Sequence, residues 1–157
     1  MNKALEGARN DKVVGASLDA DAYIYATDDT MDLLTKLDGD KNILQPPIKT
    51  NGVDELRTIL MLSHVNLVDS KEAVLEACDE KYTIELGTSK CMVGVTKAVG
   101  TKCQRCWFYD EDIGENDLPH SEVCARCNDA ISQWEEETDQ IFTLPQPEQE
   151  PEKAPVV

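Results

Sequence analysis

Cys103, Cys106, Cys124 and Cys127 stand in the pattern C-x2-C-x17-C-x2-C. Each C-x2-C pair places two sulfurs on one tight turn, and two such turns complete the tetrahedron that zinc accepts from thiolates. A catalytic zinc keeps a position open for water or substrate, whereas four thiolates leave none, so the expected site is one structural Zn2+. Residues 101–130 are too few to fold on apolar burial alone, and a metal would take over that role. The competing reading is a redox dithiol, which needs one pair opening a helix behind a strand of a βαβ unit. Two pairs at knuckle spacing, without such a unit, favour the metal. His120 is a further candidate ligand, but beside Pro119 in a loop it reads as a solvent-facing side chain. Cys78 and Cys91 stand alone on a helix and a strand pattern and read as small buried hydrophobes.

The elements that must hold this site are legible from periodicity. Ala4, Leu5 and Ala8 share one face of a helix over 2–14, with Gly15 as its stop. Leu18, Ala20, Ala22, Ile24 and Ala26 then alternate with Asp19, Asp21, Tyr23 and Tyr25, which predicts a half-buried strand with the second set outward. Thr27-Asp28-Asp29 caps a short helix running through Met31, Leu34 and Leu37. Residues 38–52, with Pro46-Pro47 and Asn51-Gly52, read as a loop, and 53–57 as a helical turn. Ile59 to Val68 is a strand candidate; Ser70 caps a helix over Lys71–Cys78. Tyr82–Leu86 and Cys91–Val95 are strands of a hairpin joined through 87–90. Prolines scattered among Gln and Glu from Pro145 onward predict a disordered acidic tail. The expected fold class is α+β: a small mixed or antiparallel sheet with short helices, then a four-cysteine zinc knuckle and the tail.

The formal net charge is −16, unevenly spread. Asp129, Glu135, Glu136, Glu137, Asp139, Glu148, Glu150 and Glu152 against Lys153 leave residues 128–157 at −7, and hence the first 127 at −9. Such a balance opposes free-standing nucleic-acid binding, where affinity comes from neutralised phosphates, so any RNA contact must be local. No stretch is apolar for long enough to span a membrane. The first residues lack the layout of a signal peptide, and the cysteines are paired for metal, not for disulfides. The expectation is a soluble, non-secreted protein, cytoplasmic, or in an organellar matrix or stroma as part of a longer precursor.

The run Ala98-Val-Gly-Thr-Lys-Cys-Gln-Arg-Cys-Trp107, continuing through Tyr109, Asp112-Ile-Gly114 and Cys124-Ala-Arg-Cys127, resembles the zinc finger that ends isoleucyl-tRNA synthetases of bacterial and organellar type. Both arginines and the tryptophan accompany the cysteines. Asn2-Lys3-Ala4-Leu5-Glu6, Ala8-Arg9 and Lys12-Val-Val-Gly15, with Ser17-Leu18 and Ala20, are similar to the place where that family's anticodon-binding helical domain ends. Asp54-Glu55-Leu56-Arg57 is similar more loosely. The order Pro119-His120 departs from the family's His-Pro, the 38–52 loop is longer, and the acidic tail is extra.

The resemblance implies an organisation: residues 1–17 ending the anticodon-binding domain, 18–100 a small α+β subdomain, 101–134 the zinc finger and 143–157 the tail. It also implies a C-terminal tRNA-binding module of an isoleucine–tRNA ligase, whose parent enzyme uses ATP and Mg2+. Its partners would be isoleucine tRNA, bound weakly by this chain alone, and the remainder of a synthetase, with no membrane and no DNA. Lys102, Arg105 and Arg126 would meet phosphates, and Trp107 would stack on RNA. Packing over the knuckle is the alternative for Trp107; hydrogen bonds to the sulfurs, or plain solvation, are the alternatives for the arginines. With His only at 64 and 120 there is no H-x-G-H motif, and Thr88-Ser89-Lys90 is not in the context of the ATP loop. No catalytic residue is therefore assigned. The chain looks like the C-terminal piece of such an enzyme or the product of a separate gene derived from one. The second reading is a free-standing structural zinc-binding interaction module derived from that family. DNA glycosylases of the formamidopyrimidine type share this finger class, but Asn2 stands where they need proline, and residues 107–123 carry no Arg or Lys.

Overall fold

A computed structural model describes residues 1–38, 55–87, 90–114 and 118–144. The expected loop beyond residue 38, the centre of the hairpin turn at 88–89 and the tail from residue 145 lie outside the described residues. Helix α1 spans Asn2–Asn10, and its buried residues are Ala4, Leu5 and Ala8. It stops earlier than the periodicity predicts. Lys12 takes the left-handed conformation, φ 61°, and the Lys12 and Val13 amides donate to the Arg9 and Ala8 carbonyls at 2.9 Å. That Schellman closure ends the helix before Gly15 is reached.

A 3-10 turn over Ser17–Asp19 leads into strand β1, Ala20–Ala26. Helix α2 follows over Asp28–Asp38, and its Leu34 and Leu37 pack on the main core. Helix α3 occupies Glu55–Leu60, and strand β2 only His64–Leu67. The apolar run from Ile59 to Val68 is thus not one strand. It finishes a helix, turns at Met61 with φ 54°, and only then extends. An apolar run of this length does not by itself distinguish helix from strand. Helix α4 covers Lys71–Ala77, and the Ser70 hydroxyl caps it by accepting from the Ala73 amide at 3.1 Å. Strands β3, Thr83–Leu86, and β4, Cys91–Lys97, pair antiparallel with Ile84 opposite Val93.

The four strands form one mixed sheet in the order β2-β1-β4-β3. β1 runs parallel to β2, Asp21 opposite His64, and antiparallel to β4, Ala22 opposite Val95. Helix α1 covers the face that carries Ala22, Val93 and Val95, and α4 lies against the other. Gly94 shows how closely: a Cβ there would stand 2.7 Å from the Cys78 Sγ. With both faces covered, the second set of β1 residues is not solvent-facing as expected. Tyr23 and Tyr25 are half-buried and Asp21 is buried. Burial of Asp21 is compensated, because one carboxylate oxygen meets His64 Nδ1 at 2.8 Å and the other accepts from the Val99 amide at 3.2 Å. Cys78 is buried as expected, its thiol pushed up to about 11 by desolvation; Cys91 is only partly buried. No helix among the described residues is long and apolar enough to cross a membrane.

Candidate metal centre and its basic-aromatic face

After β4 the chain turns at Gly100, φ 88°, where a Cβ would lie 2.5 Å from the Asp110 backbone; only glycine fits this approach. Strand β5, Thr101–Lys102, pairs antiparallel with β6, Tyr109–Asp110, and the knuckle 103–108 closes between them. The Cys103 amide donates to the Phe108 carbonyl at 2.8 Å, and the Trp107 amide to the Cys103 carbonyl at 2.9 Å. The turn requires Trp107 to adopt φ 67°, which directs its indole outward. The second pair comes from the start of helix α5, Ala125–Thr138: Cys124 is its N-cap and Cys127 lies in its first turn.

These turns bring all four cysteine sulfurs within 4.8 Å of one another. The Cys106 and Cys124 sulfurs are 3.7 Å apart. Cys103 Sγ accepts from the Cys106 and Cys124 amides at 3.5 and 3.4 Å, and Arg105 donates to Cys127 Sγ at 3.6 Å. The ionisation of each thiol is set chiefly by the others. Hydrogen bonds from Cys106, Cys124 and Cys127 hold the Cys103 thiol far below its ordinary value, while Cys103 foremost pushes Cys124 and Cys127 far above theirs. Converting all four to thiolates needs positive charge at the centre, which a bound metal ion supplies. Around the sulfurs, Ile113, Val123 and Ile131 complete a core much smaller than that of the sheet, with Phe142 and Leu144 packed at its margin.

The four cysteines are brought together as the spacing predicts. Lys102 and Trp107 also meet: the ammonium lies 6.0 Å from the indole centroid and 5.8 Å from that of Tyr109, and pairs with Asp19 at 3.5 Å. Trp107 is 62% exposed, so it does not pack over the knuckle. With Lys102, Cys103 and Gln104 it lines an open cleft of about 400 Å³. The arginines sit differently. Arg105 faces sulfur, and Arg126 lies 5.7 Å from the Phe108 ring centroid. Burial lowers the Arg126 pKa, but hydrogen bonding to Cys106 and the other sulfurs outweigh it and leave it raised.

His120 is not the solvent-facing side chain the sequence suggests. It is half-buried, its Nε2 is 3.3 Å from Glu135, and its ring meets Phe142 edge-on at 6.1 Å. The residues missed entirely by sequence reasoning are Ser63, Phe108 and Asn128. Buried Asn128 accepts from the His120 amide at 3.2 Å, and Ser63 and Phe108 join the finger to the sheet. A serine between Leu62 and His64 carries no local signal of such a role.

An isoleucine–tRNA ligase of Rippkaea orientalis is 43% identical over 132 residues, which is 83% of this chain and 13% of that protein. One from Nostoc is 38% identical over 133 residues, 84% of this chain and 12% of its own length. The chain is homologous to a segment of isoleucine–tRNA ligases. A ligase of Arabidopsis thaliana described as chloroplastic/mitochondrial is 32% identical over 132 residues, covering 83% of this chain and 11% of that one. The chain therefore spans about an eighth of the length of the ligases it matches. No family model matches it.

Proposed function

We propose that this chain is the C-terminal, zinc-containing, tRNA-binding module of an isoleucine–tRNA ligase. Four sulfurs in a closed set suit zinc, and with no open position the ion would hold the finger together and do no chemistry. Esterification of isoleucine onto tRNA, with ATP and Mg2+, would take place in the parent enzyme's catalytic core, and this chain would help hold the RNA. The observation that carries the reading is Trp107, exposed on the knuckle with the Lys102 ammonium beside it, in a chain homologous to tRNA ligases. An exposed indole next to a cation offers stacking to an unpaired base and charge to its phosphate. Arg105 and Arg126 stabilise the sulfurs and retain further donors for phosphate.

The net charge of −16 favours a second reading, a free-standing zinc-binding interaction module derived from the same family. One titration separates the two: isoleucine tRNA against the full chain, Trp107→Ala and Arg105→Ala at two salt concentrations. With at most three phosphates neutralised, the wild type should bind weakly, with a salt slope of about −2 to −3. Trp107→Ala should lose ~1–3 kcal/mol of that binding. Variants that bind as well as the wild type at both salts would remove the knuckle as the RNA contact and leave the second reading.

A further inference from the structure

Ser63 lies at the entry to β2, fully buried, where a polar side chain has to account for its hydrogen bonds. Its amide donates to the Ala20 carbonyl at 2.9 Å. Its hydroxyl donates to the Leu18 carbonyl and accepts from the Tyr109 amide at 2.8 Å. One oxygen thus ties the approach to β1, the approach to β2 and strand β6 of the finger. Tyr109 is held from its other side as well, because its carbonyl accepts from Arg57 at 3.4 Å. The same guanidinium lies 4.3 Å from the centroid of Phe108, the residue between Trp107 and Tyr109. Beyond this seam the covalent link is short: Ala98 is fastened to Asp19 at 2.9 Å and Val99 to Asp21 at 3.2 Å.

The sulfurs explain why the finger keeps its own shape, but among the described residues their hydrogen bonds stay within the finger. Finger and sheet also meet through the Lys102–Asp19 pair, but the hydrogen bonds to the Tyr109 backbone lie two residues from Trp107. We infer that Ser63 is the positioning residue of the finger: its hydroxyl sets the orientation in which Lys102 and Trp107 are presented to RNA. The RNA half of this statement rests on the proposed function; the orientation half does not. Ser63→Ala leaves the Tyr109 amide without its acceptor, whereas Ser63→Thr keeps a hydroxyl at that position.

The test uses the full zinc-loaded chain. Residual dipolar couplings give the orientation of the finger relative to the sheet, zinc content reports the integrity of the finger, and titration with isoleucine tRNA reports presentation. In Ser63→Ala, zinc should remain at one per chain while the alignment of residues 101–138 relative to β1–β4 changes or averages. Affinity for tRNA should fall about tenfold, and Ser63→Thr should restore both. An unchanged alignment in Ser63→Ala overturns the proposal, as does a changed alignment with tRNA affinity intact. If the wild type binds no tRNA, the proposed function fails, while the couplings still decide whether Ser63 orients the finger. If Ser63→Ala does not fold, amide exchange in the wild type decides. A protected Tyr109 amide supports the seam, and exchange as fast as an open loop overturns it.

Discussion

Cys106 Sγ and Cys124 Sγ lie 3.7 Å apart although they are 18 positions apart in the chain. Four sulfurs each ~2.3 Å from a common centre stand about 3.8 Å from one another, so this separation is what a tetrahedral zinc requires. The purified chain should hold one zinc with an all-sulfur shell at ~2.3 Å, measured by elemental analysis and X-ray absorption. Nitrogen in the shell, or a folded finger without metal, would contradict the assignment.

Cys103→Ser should release the metal and unfold the finger while the sheet persists, since Cys103 lies in a core of six buried residues, three of them, itself included, ligand candidates. Both tryptophans, Trp107 and Trp134, belong to the finger and its helix, so their emission reports that region alone. The expected result is a change in the tryptophan emission and loss of α5 helicity, with amide protection in β1–β4 retained. Collapse of the sheet's protection would show that the two cores are one cooperative unit.

Gly94→Ala should destabilise the sheet by ~1–3 kcal/mol, an overpacking cost. The new Cβ meets the Cys78 Sγ at 2.7 Å and Val74 Cγ1 at 2.9 Å, on the C-cap and the body of the helix that covers this face. Urea unfolding followed by tyrosine absorbance measures it, and zinc content should not change.

Asp11 should titrate below its ordinary 3.8, because Lys81 and then Tyr82 hydrogen-bond to its carboxylate. A depressed carboxylate contributes stability that is complete above the unfolded value and drains away as pH falls through the folded one. Attachment of the α1 end to the Lys81-Tyr82 turn should therefore be insensitive to pH above about 5 and weaken only below 3.8. Carboxylate carbon shifts against pH give the midpoint; a value at or above 3.8 would mean that the contacts do not persist in solution.

This chain alone should catalyse no isoleucine-dependent ATP–pyrophosphate exchange, because its histidines at 64 and 120 form no H-x-G-H motif. Measurable exchange would mean that an ATP site exists where the sequence offers none.

Local chemistry made much of this molecule legible. The C-x2-C pairs are short-range devices whose geometry is set within four residues, and the Ser70 cap and the β3–β4 pairing are equally local. The run 59–68 was not legible, because a stretch of Leu, Ile and Val satisfies helix and strand alike until its neighbours choose. Asp21 was assigned outward by an alternation rule that assumes one wet face, and α4 covers that face.

By itself, the sequence determined the four cysteines that come together, the α+β class and the company of Lys102, Arg105, Trp107 and Arg126 around the knuckle. Only the tertiary structure decided which way those side chains point. Lys102 is drawn beside Trp107 and Asp19, Arg105 turns to a sulfur, and His120 is enclosed by Glu135 and Phe142. It also decided that a buried serine 46 residues from Tyr109 joins the finger to the sheet. The reason is physical: ligand spacing is a property of one turn of backbone, whereas burial and hydrogen-bond pairing belong to segments that meet only when the chain has folded.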